Sequence, residues 1–158
     1  MIVSVGAEAP DFELPSSELE GDRPGKKIRL ADFRGKKPVV LAFYPLDFSP
    51  VCSGEHKCFY DDASAFDAAG AQVLGVSVDS VWAHRAFAKQ LGIAYPLLAD
   101  FHPKGAVAAR YGLYHEDKGI TARATVVVSK DGKVVYAKEH PLGEARHNQE
   151  ILEALRRA

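Results

Sequence analysis

Both cysteines of the chain, Cys52 and Cys58, fall in one stretch, "FYPLDFSPVCSGEHKC" (Phe43 to Cys58), six positions apart. Such a pair can form a disulfide, help to bind a metal, or consist of one reactive thiol and a bystander. Cys52 follows a strand-like run, two prolines and turn-forming residues, where the sequence becomes helical. A thiol in a first helical turn meets unpaired backbone N–H groups and the positive end of the helix dipole, and both favour the nucleophilic thiolate. The competing reading is an inert buried cysteine, a common fate of free thiols. The position of Cys52 between strand and helix argues against it.

A thiolate that attacks a peroxide needs donors fixed around the O–O bond, because negative charge builds on the departing oxygen. The Ser49 hydroxyl and the backbone N–H groups of Val51 and Cys52 can supply them, and Pro45 can wall off water. The stretch contains no arginine to stabilise thiolate and leaving oxygen together. The best-placed candidate elsewhere is Arg123 in "TARATVVV", at the start of a strand expected beside the central ones.

Cys58 is not equivalent to Cys52. On a continuous helix six positions give roughly 240° of rotation and about 9 Å of rise, which puts the Cα atoms on the order of 10 Å apart. A disulfide spans about 4.4 to 6.8 Å. Bridging therefore requires the first turns to unwind, which the weak helix formers Ser53 and Gly54 would ease. Otherwise Cys58 is a small helix residue flanking the apolar face of Phe59 and Phe66, and both readings stay open. A zinc site from Cys52, His56 and Cys58 lacks a fourth ligand, and Cys58 leaves the helical face the other two share, so no metal is expected. His56 could tune Cys52 from one turn away, although an exposed helical histidine is the commoner outcome. His84, His102, His115, His140 and His147 form no Cys-His or His-Asp motif in sequence and are expected at the surface.

These residues need a scaffold, and the pattern supplies one. "PVVLAFYP" (Pro38 to Pro45) reads as a buried central strand, followed by a helix from Cys52 to Ala69 that stops at Gly70. "QVLGVSVD" is a second buried strand, "SVWAHRAFAKQLG" a helix with a serine cap and a glycine terminator, and "YPLLAD" a third strand. "HPKGAVAARYG" reads as a short helix, and "ATVVVSKDGKVVYAKE" as a hairpin turning at Asp131 and Gly132. A last amphipathic helix is expected from Glu144 to Arg157. In front of all this lies a turn-rich segment, "SSELEGDRPGKK", and a short strand and turn, "IRLADF". The order predicts an α/β fold of thioredoxin-like layout, a central mixed β-sheet flanked by helices, with an N-terminal β extension. Trp82 and Phe101 are expected as core or rim aromatics.

The 158 residues, 47% hydrophobic, suit one domain over 1–158. A formal charge of −1 gives no basic field for nucleic acid, and no apolar run nears a membrane span. The first residues lack the pattern of a secretory signal, so a cytoplasmic protein is expected. In that reducing compartment two cysteines point to chemistry rather than to a structural bridge.

"PLDFSPVCSGE" resembles the active-site motif of peroxiredoxins: proline, three residues, threonine or serine, two residues, cysteine, then glutamate three further on. "VGAEAPDFELP", "GVSVDSVWAHRAFA" and "RATVVVSKDGKVVY" are similar to other segments of that family, in the same order along nearly the whole chain. "YPLLADFHPKGAVAARYGLYHEDKGITARATVVV" and "PLGEAR" look most like the AhpE group, with some likeness to the bacterioferritin comigratory protein or PrxQ group. The resemblance implies a cofactor-free, thiol-dependent peroxidase in which Cys52 is the peroxidatic cysteine, completed by Pro45, Ser49 and Arg123. Glu55 carries over as a supporting residue that orients the arginine or the loop. It further implies a hydroperoxide substrate, a sulfenic acid on Cys52, and sulfinic acid after prolonged peroxide. The sulfenic acid would be reduced through Cys58 or by a thioredoxin-, glutaredoxin- or mycoredoxin-like partner or a low-molecular-weight thiol. A homodimer is implied as well, and the loops near Phe48, Trp82 and Phe101 are where its interface is expected. Two departures stand out: Ser49 replaces the commoner threonine and loses the methyl that locks its rotamer, and Cys58 lies six positions on where helix-resolving members have five. The rival readings are a thioredoxin-like dithiol oxidoreductase, against which the lack of C-x-x-C counts, and a thiol redox sensor or holdase-like interaction protein without efficient turnover.

Overall fold

Val39, Leu41 and Phe43 alternate with Val40 and Ala42, and all five are buried, so this strand must be covered on both faces. The computed structural model describes residues 1–51, 54 and 63–158. In it the N-terminal segment forms two small antiparallel pairs. β1 (Glu13–Pro15) pairs with β4 (Lys27–Arg29), and β2 (Leu19–Glu20) with β3 (Arg23–Pro24). Leu30–Phe33 then makes a 3-10 turn.

The main sheet has five strands: β5 (Val39–Phe43), β6 (Gln72–Ser77), β7 (Leu97–Ala99), β10 (Arg123–Val128) and β11 (Val134–His140). Their order is β11-β10-β5-β6-β7, with β5, β6 and β7 parallel and β10 antiparallel to both β5 and β11. This is the mixed sheet expected from the sequence. The hairpin turn also falls where Asp131-Gly132 predicted it, with Gly132 at φ 86° and its N–H donating to the Ser129 carbonyl at 3.0 Å. A further small pair, β8 (Tyr114–His115) and β9 (Ile120–Thr121), precedes β10.

The helices are α1 (Ala63–Ala68), α2 (Val81–Leu91), α3 (Ala106–Arg110) and α4 (Asn148–Leu155). The cap and terminator of α2 are those read from the sequence. Ser80 Oγ accepts the Ala83 N–H at 3.1 Å, and Gly92 takes the left-handed conformation at φ 68°. Of the helix expected over Cys52 to Ala69, α1 and its stop at Gly70 are present, and Pro50, Val51 and Gly54 have helical backbone. The rest lies outside the described residues.

The last helix is shorter than expected, beginning at Asn148 and not at Glu144. The physical reason is Arg146, whose guanidinium turns into the protein and binds the ends of two strands, a task the surface of a helix would not let it perform.

One face of the sheet presents Leu41, Phe43, Leu74, Val76 and Val126 to Phe12, Leu14, Ile28, Tyr111 and Leu113, so the N-terminal extension closes this core. The other face packs Val40, Ala42, Val73 and Val127 against Phe66 and against Ile151, Ala154 and Leu155 of α4. Tyr44, just past β5, joins Phe87 and Ala88 of α2 and Leu97 of β7 in a third cluster. Among the described residues, no helix is long and apolar enough to cross a membrane.

Candidate active site

The C-terminal end of β5 runs into the segment Tyr44–Val51, which must leave the sheet and enter helical backbone within a few residues. Pro45 is buried at the start of it, and Ser49 is half-buried with its hydroxyl donating to the Leu46 carbonyl at 3.2 Å. Pro50 stands where helical backbone begins, a position that suits its fixed φ and missing N–H. Between them Phe48 has φ 69°, a left-handed conformation that is strained for a bulky side chain. Its ring meets Phe87 of α2 edge-on at 5.0 Å, yet about half of the residue stays exposed.

Arg123 arrives beside this segment through strand register. Ala124 pairs with Phe43, so Arg123, the first residue of β10, lies level with the exit of β5. It is only 1% exposed, and its Nε donates to the Leu142 carbonyl at 3.0 Å, which fixes the plane of the guanidinium. Pro45, Ser49, Val51 and Arg123 therefore share one end of the sheet. Cys52, Glu55, His56 and Cys58 lie outside the described residues.

Sequence reading missed a second buried arginine. Arg146 donates from Nη1 to the Ala124 carbonyl at 2.7 Å and to Thr125 Oγ1 at 2.8 Å, and from Nη2 to the Phe43 carbonyl at 2.6 Å. It clamps β5 to β10 next to Arg123. The signal available in the sequence was its setting, "PLGEARHN", a proline- and glycine-containing stretch poorly suited to open a helix.

It also missed a buried polar chain behind the loop. Tyr44 Oη donates to Asp47 Oδ1 at 2.6 Å, and Asp47 Oδ2 faces His84 Nδ1 at 2.7 Å. His84 Nε2 donates to the Leu98 carbonyl at 3.0 Å. The Asp47 N–H donates to Asp79 Oδ2 at 2.9 Å, and the same carboxylate accepts the Ser77 hydroxyl. Burial, and next the neighbouring Asp47 carboxylate, push the Tyr44 phenol well above its ordinary pKa, so it remains a donor. The expectation of surface histidines is thus corrected for His84, which is fully buried, and for His140, 7% exposed in the strand beside Arg123. The His84 partner comes from a loop 37 positions away, which no local motif announces. Trp82 and Phe101, expected in the core or at its rim, are 62% and 56% exposed, which leaves the rim.

Asp47, Asp79 and His84 bring ligand-type atoms within 4.8 Å of one another. Each already has a protein hydrogen-bond partner, so these groups serve as a hydrogen-bonded network.

Residues 5–137 match the AhpC/TSA family. The chain belongs to this family, the peroxiredoxins. As a peroxiredoxin it is an enzyme, a thiol peroxidase. It is 36% identical over 154 residues to alkyl hydroperoxide reductase E of Mycobacterium tuberculosis (strain ATCC 25618 / H37Rv), a match covering 98% of this chain and 97% of that protein. It is 37% identical over 158 residues to the chloroplastic 2-Cys peroxiredoxin BAS1 of Spinacia oleracea, covering 96% of this chain and 58% of that one. Among solved structures, the reduced 2-Cys peroxiredoxin of Plasmodium vivax superposes with a TM-score of 0.86 at 33% identity, covering 96% of this chain and 80% of that one. The AhpC of Mycobacterium tuberculosis does so with 0.85 at 27% identity, covering 99% and 93%. The peroxiredoxin fold is thus the thioredoxin-like α/β arrangement expected, including its N-terminal extension.

Proposed function

We propose that this peroxiredoxin, a single domain over 1–158, reduces hydrogen peroxide, organic hydroperoxides and peroxynitrite through Cys52, in antioxidant defence in the cytoplasm. The observation that supports the reading is the strand register, which sets buried Arg123 level with the exit of β5, where buried Pro45 and then Ser49 begin the loop that leads into Cys52. The helical backbone at Pro50 and Val51 supports a first-turn position for that thiol.

In the reaction the Cys52 thiolate attacks one peroxide oxygen. An S–O bond forms, the O–O bond breaks, and the other oxygen leaves with the electron pair, taking up a proton as water or an alcohol from a hydroperoxide and departing as nitrite from peroxynitrite. Arg123 stabilises first the thiolate and then the departing oxygen, the N–H of Val51 and the hydroxyl of Ser49 orient the peroxide, and Glu55 orients the arginine. Cys52 is left as a sulfenic acid. A second thiol displaces its oxygen as water to form a disulfide, which a further thiol reduces. That second thiol is Cys58 after local unfolding, or an external one: a thioredoxin-, glutaredoxin- or mycoredoxin-like protein or a low-molecular-weight thiol. Exposed Phe48, Trp82 and Phe101 support a homodimer with these aromatics in its interface.

Stopped-flow oxidation by hydrogen peroxide tests the activity. Wild-type Cys52 reacts orders of magnitude faster than free cysteine at the same pH, and Cys52→Ser abolishes turnover. A rate near that of free cysteine would move the protein to the sensor reading. For Cys58, the intact mass after one equivalent of peroxide decides: loss of two hydrogens marks an internal disulfide, and a stable gain of one oxygen marks external resolution.

A further inference from the structure

The loop that precedes Cys52 is held from behind by the buried Tyr44, Asp47 and His84, none of which the peroxidase chemistry above employs. Asp47 lies two positions after Pro45 and five before Cys52. Its side chain is tied to Tyr44 at the exit of β5 and to His84 on α2, while its backbone N–H is tied to Asp79 at the end of β6. His84 is tied in turn to β7 through the Leu98 carbonyl. The loop is thereby referenced to three strands and a helix at one residue. It is also the residue next to Phe48, whose left-handed backbone would relax if the anchor let go.

We propose that Tyr44, Asp47 and His84 form a positioning chain whose hydrogen bonds to Asp47 fix the Pro45–Ser49 loop so that peroxide and the Cys52 thiolate meet in line. The inference rests on the peroxidase reading. None of the three touches the peroxide; they act through the loop.

The chemistry of the chain dictates how to test it. A carbonyl only accepts, so His84 Nε2 must carry hydrogen, and Tyr44 must donate to Asp47. An asparagine at 47 can still accept from Tyr44 with its amide oxygen and donate from its NH2 to a neutral His84 Nδ1. An alanine can do neither. Alignment errors on the order of 1 Å can cost about a hundredfold in rate, whereas attack on a small alkylating agent, which needs no donor array, is insensitive to them.

The experiment compares wild type, Asp47→Ala and Asp47→Asn, each checked for native circular dichroism. Single-turnover oxidation by hydrogen peroxide, followed through Trp82 fluorescence, is measured beside the rate of iodoacetamide alkylation of Cys52 at the same pH. Asp47→Ala lowers the peroxide rate at least tenfold, Asp47→Asn restores it to within about threefold of wild type, and alkylation by either variant is not slowed more than threefold. The proposal is overturned if Asp47→Ala keeps a peroxide rate within threefold of wild type, if Asp47→Asn fails as badly as Asp47→Ala, or if alkylation slows in parallel with peroxide oxidation. Should Asp47→Ala not fold, Tyr44→Phe, which removes one hydroxyl and keeps the ring, replaces it. A threefold to tenfold slower peroxide reaction at unchanged alkylation then supports the chain, and an unchanged rate overturns it. A wild type no faster than free cysteine would instead remove the peroxidase reading itself.

Discussion

The guanidinium of Arg146 binds two carbonyls and a hydroxyl on adjacent strands, in a place where water cannot substitute for it. Hydrogen bonds to a charged group contribute about 1.5–3 kcal/mol each, and a buried acceptor left bare costs its full desolvation. Arg146→Ala is therefore expected to lower stability by about 3 kcal/mol or more, read as a fall in the urea midpoint. Arg146→Lys recovers only part of this, because an ammonium cannot span Phe43 and Ala124 with the fork that the guanidinium offers. Equal midpoints for Arg146→Ala and wild type would show that the clamp is dispensable. The consequence reaches the site, since the same carbonyls belong to the residues that set Arg123 level with the exit of β5.

At the scale of elements, α2 carries His84 and depends on its two ends. Ser80→Ala removes the side-chain acceptor for the Ala83 N–H and is expected to cost about 1 kcal/mol, measured by chemical denaturation. An unchanged midpoint would mean that this cap is replaced by water. Both ends of α2 were legible in the sequence because the signals are local: a serine before the first turn and a glycine after the last. The strands were legible for the same reason, since six consecutive apolar residues between prolines admit few alternatives. Arg123 was legible as the start of its strand, and the structure places it beside the Pro45 loop. What was not legible depends on distant partners. The start of α4 was set four residues too early because its amphipathic pattern does not reveal that Arg146 is required inside. His84 was assigned to the surface because Asp47, its partner, is close only after β5, β6 and α2 have packed. Whether Trp82 falls in the core or at its rim likewise depends on which face of α2 meets the sheet, and its 62% exposure puts it at the rim.

At the scale of the whole molecule, two phenols are sealed in separate regions of the core. Tyr44 is 1% exposed and bonded to Asp47, and Tyr111 is fully buried with its hydroxyl donating to the Pro10 carbonyl at 2.7 Å. Burial, the first cause in both, raises each pKa above the ordinary value, so neither phenol ionises in the folded protein where an unfolded chain would do so. Above a pH of about 10 the unfolded state has lost these protons while the folded state keeps them. The folded state then binds more protons, and stability must fall as pH rises. Each tyrosine contributes a slope approaching 1.4 kcal/mol per pH unit, so between pH 10 and 11 the pair removes roughly 2 kcal/mol. Denaturation curves across this range should show the fall, and Tyr44→Phe should flatten its pH dependence while leaving the Tyr111 part. Absorbance at 295 nm supplies an independent check: Tyr44 and Tyr111 should stay silent until the protein unfolds, then ionise together. Full ionisation of all six tyrosines near pH 10 with native circular dichroism intact would contradict the sealed core. Because Tyr44 belongs to the chain behind the Cys52 loop, alkaline loss of the fold and loss of peroxide reactivity should coincide, with no folded but misaligned state between them.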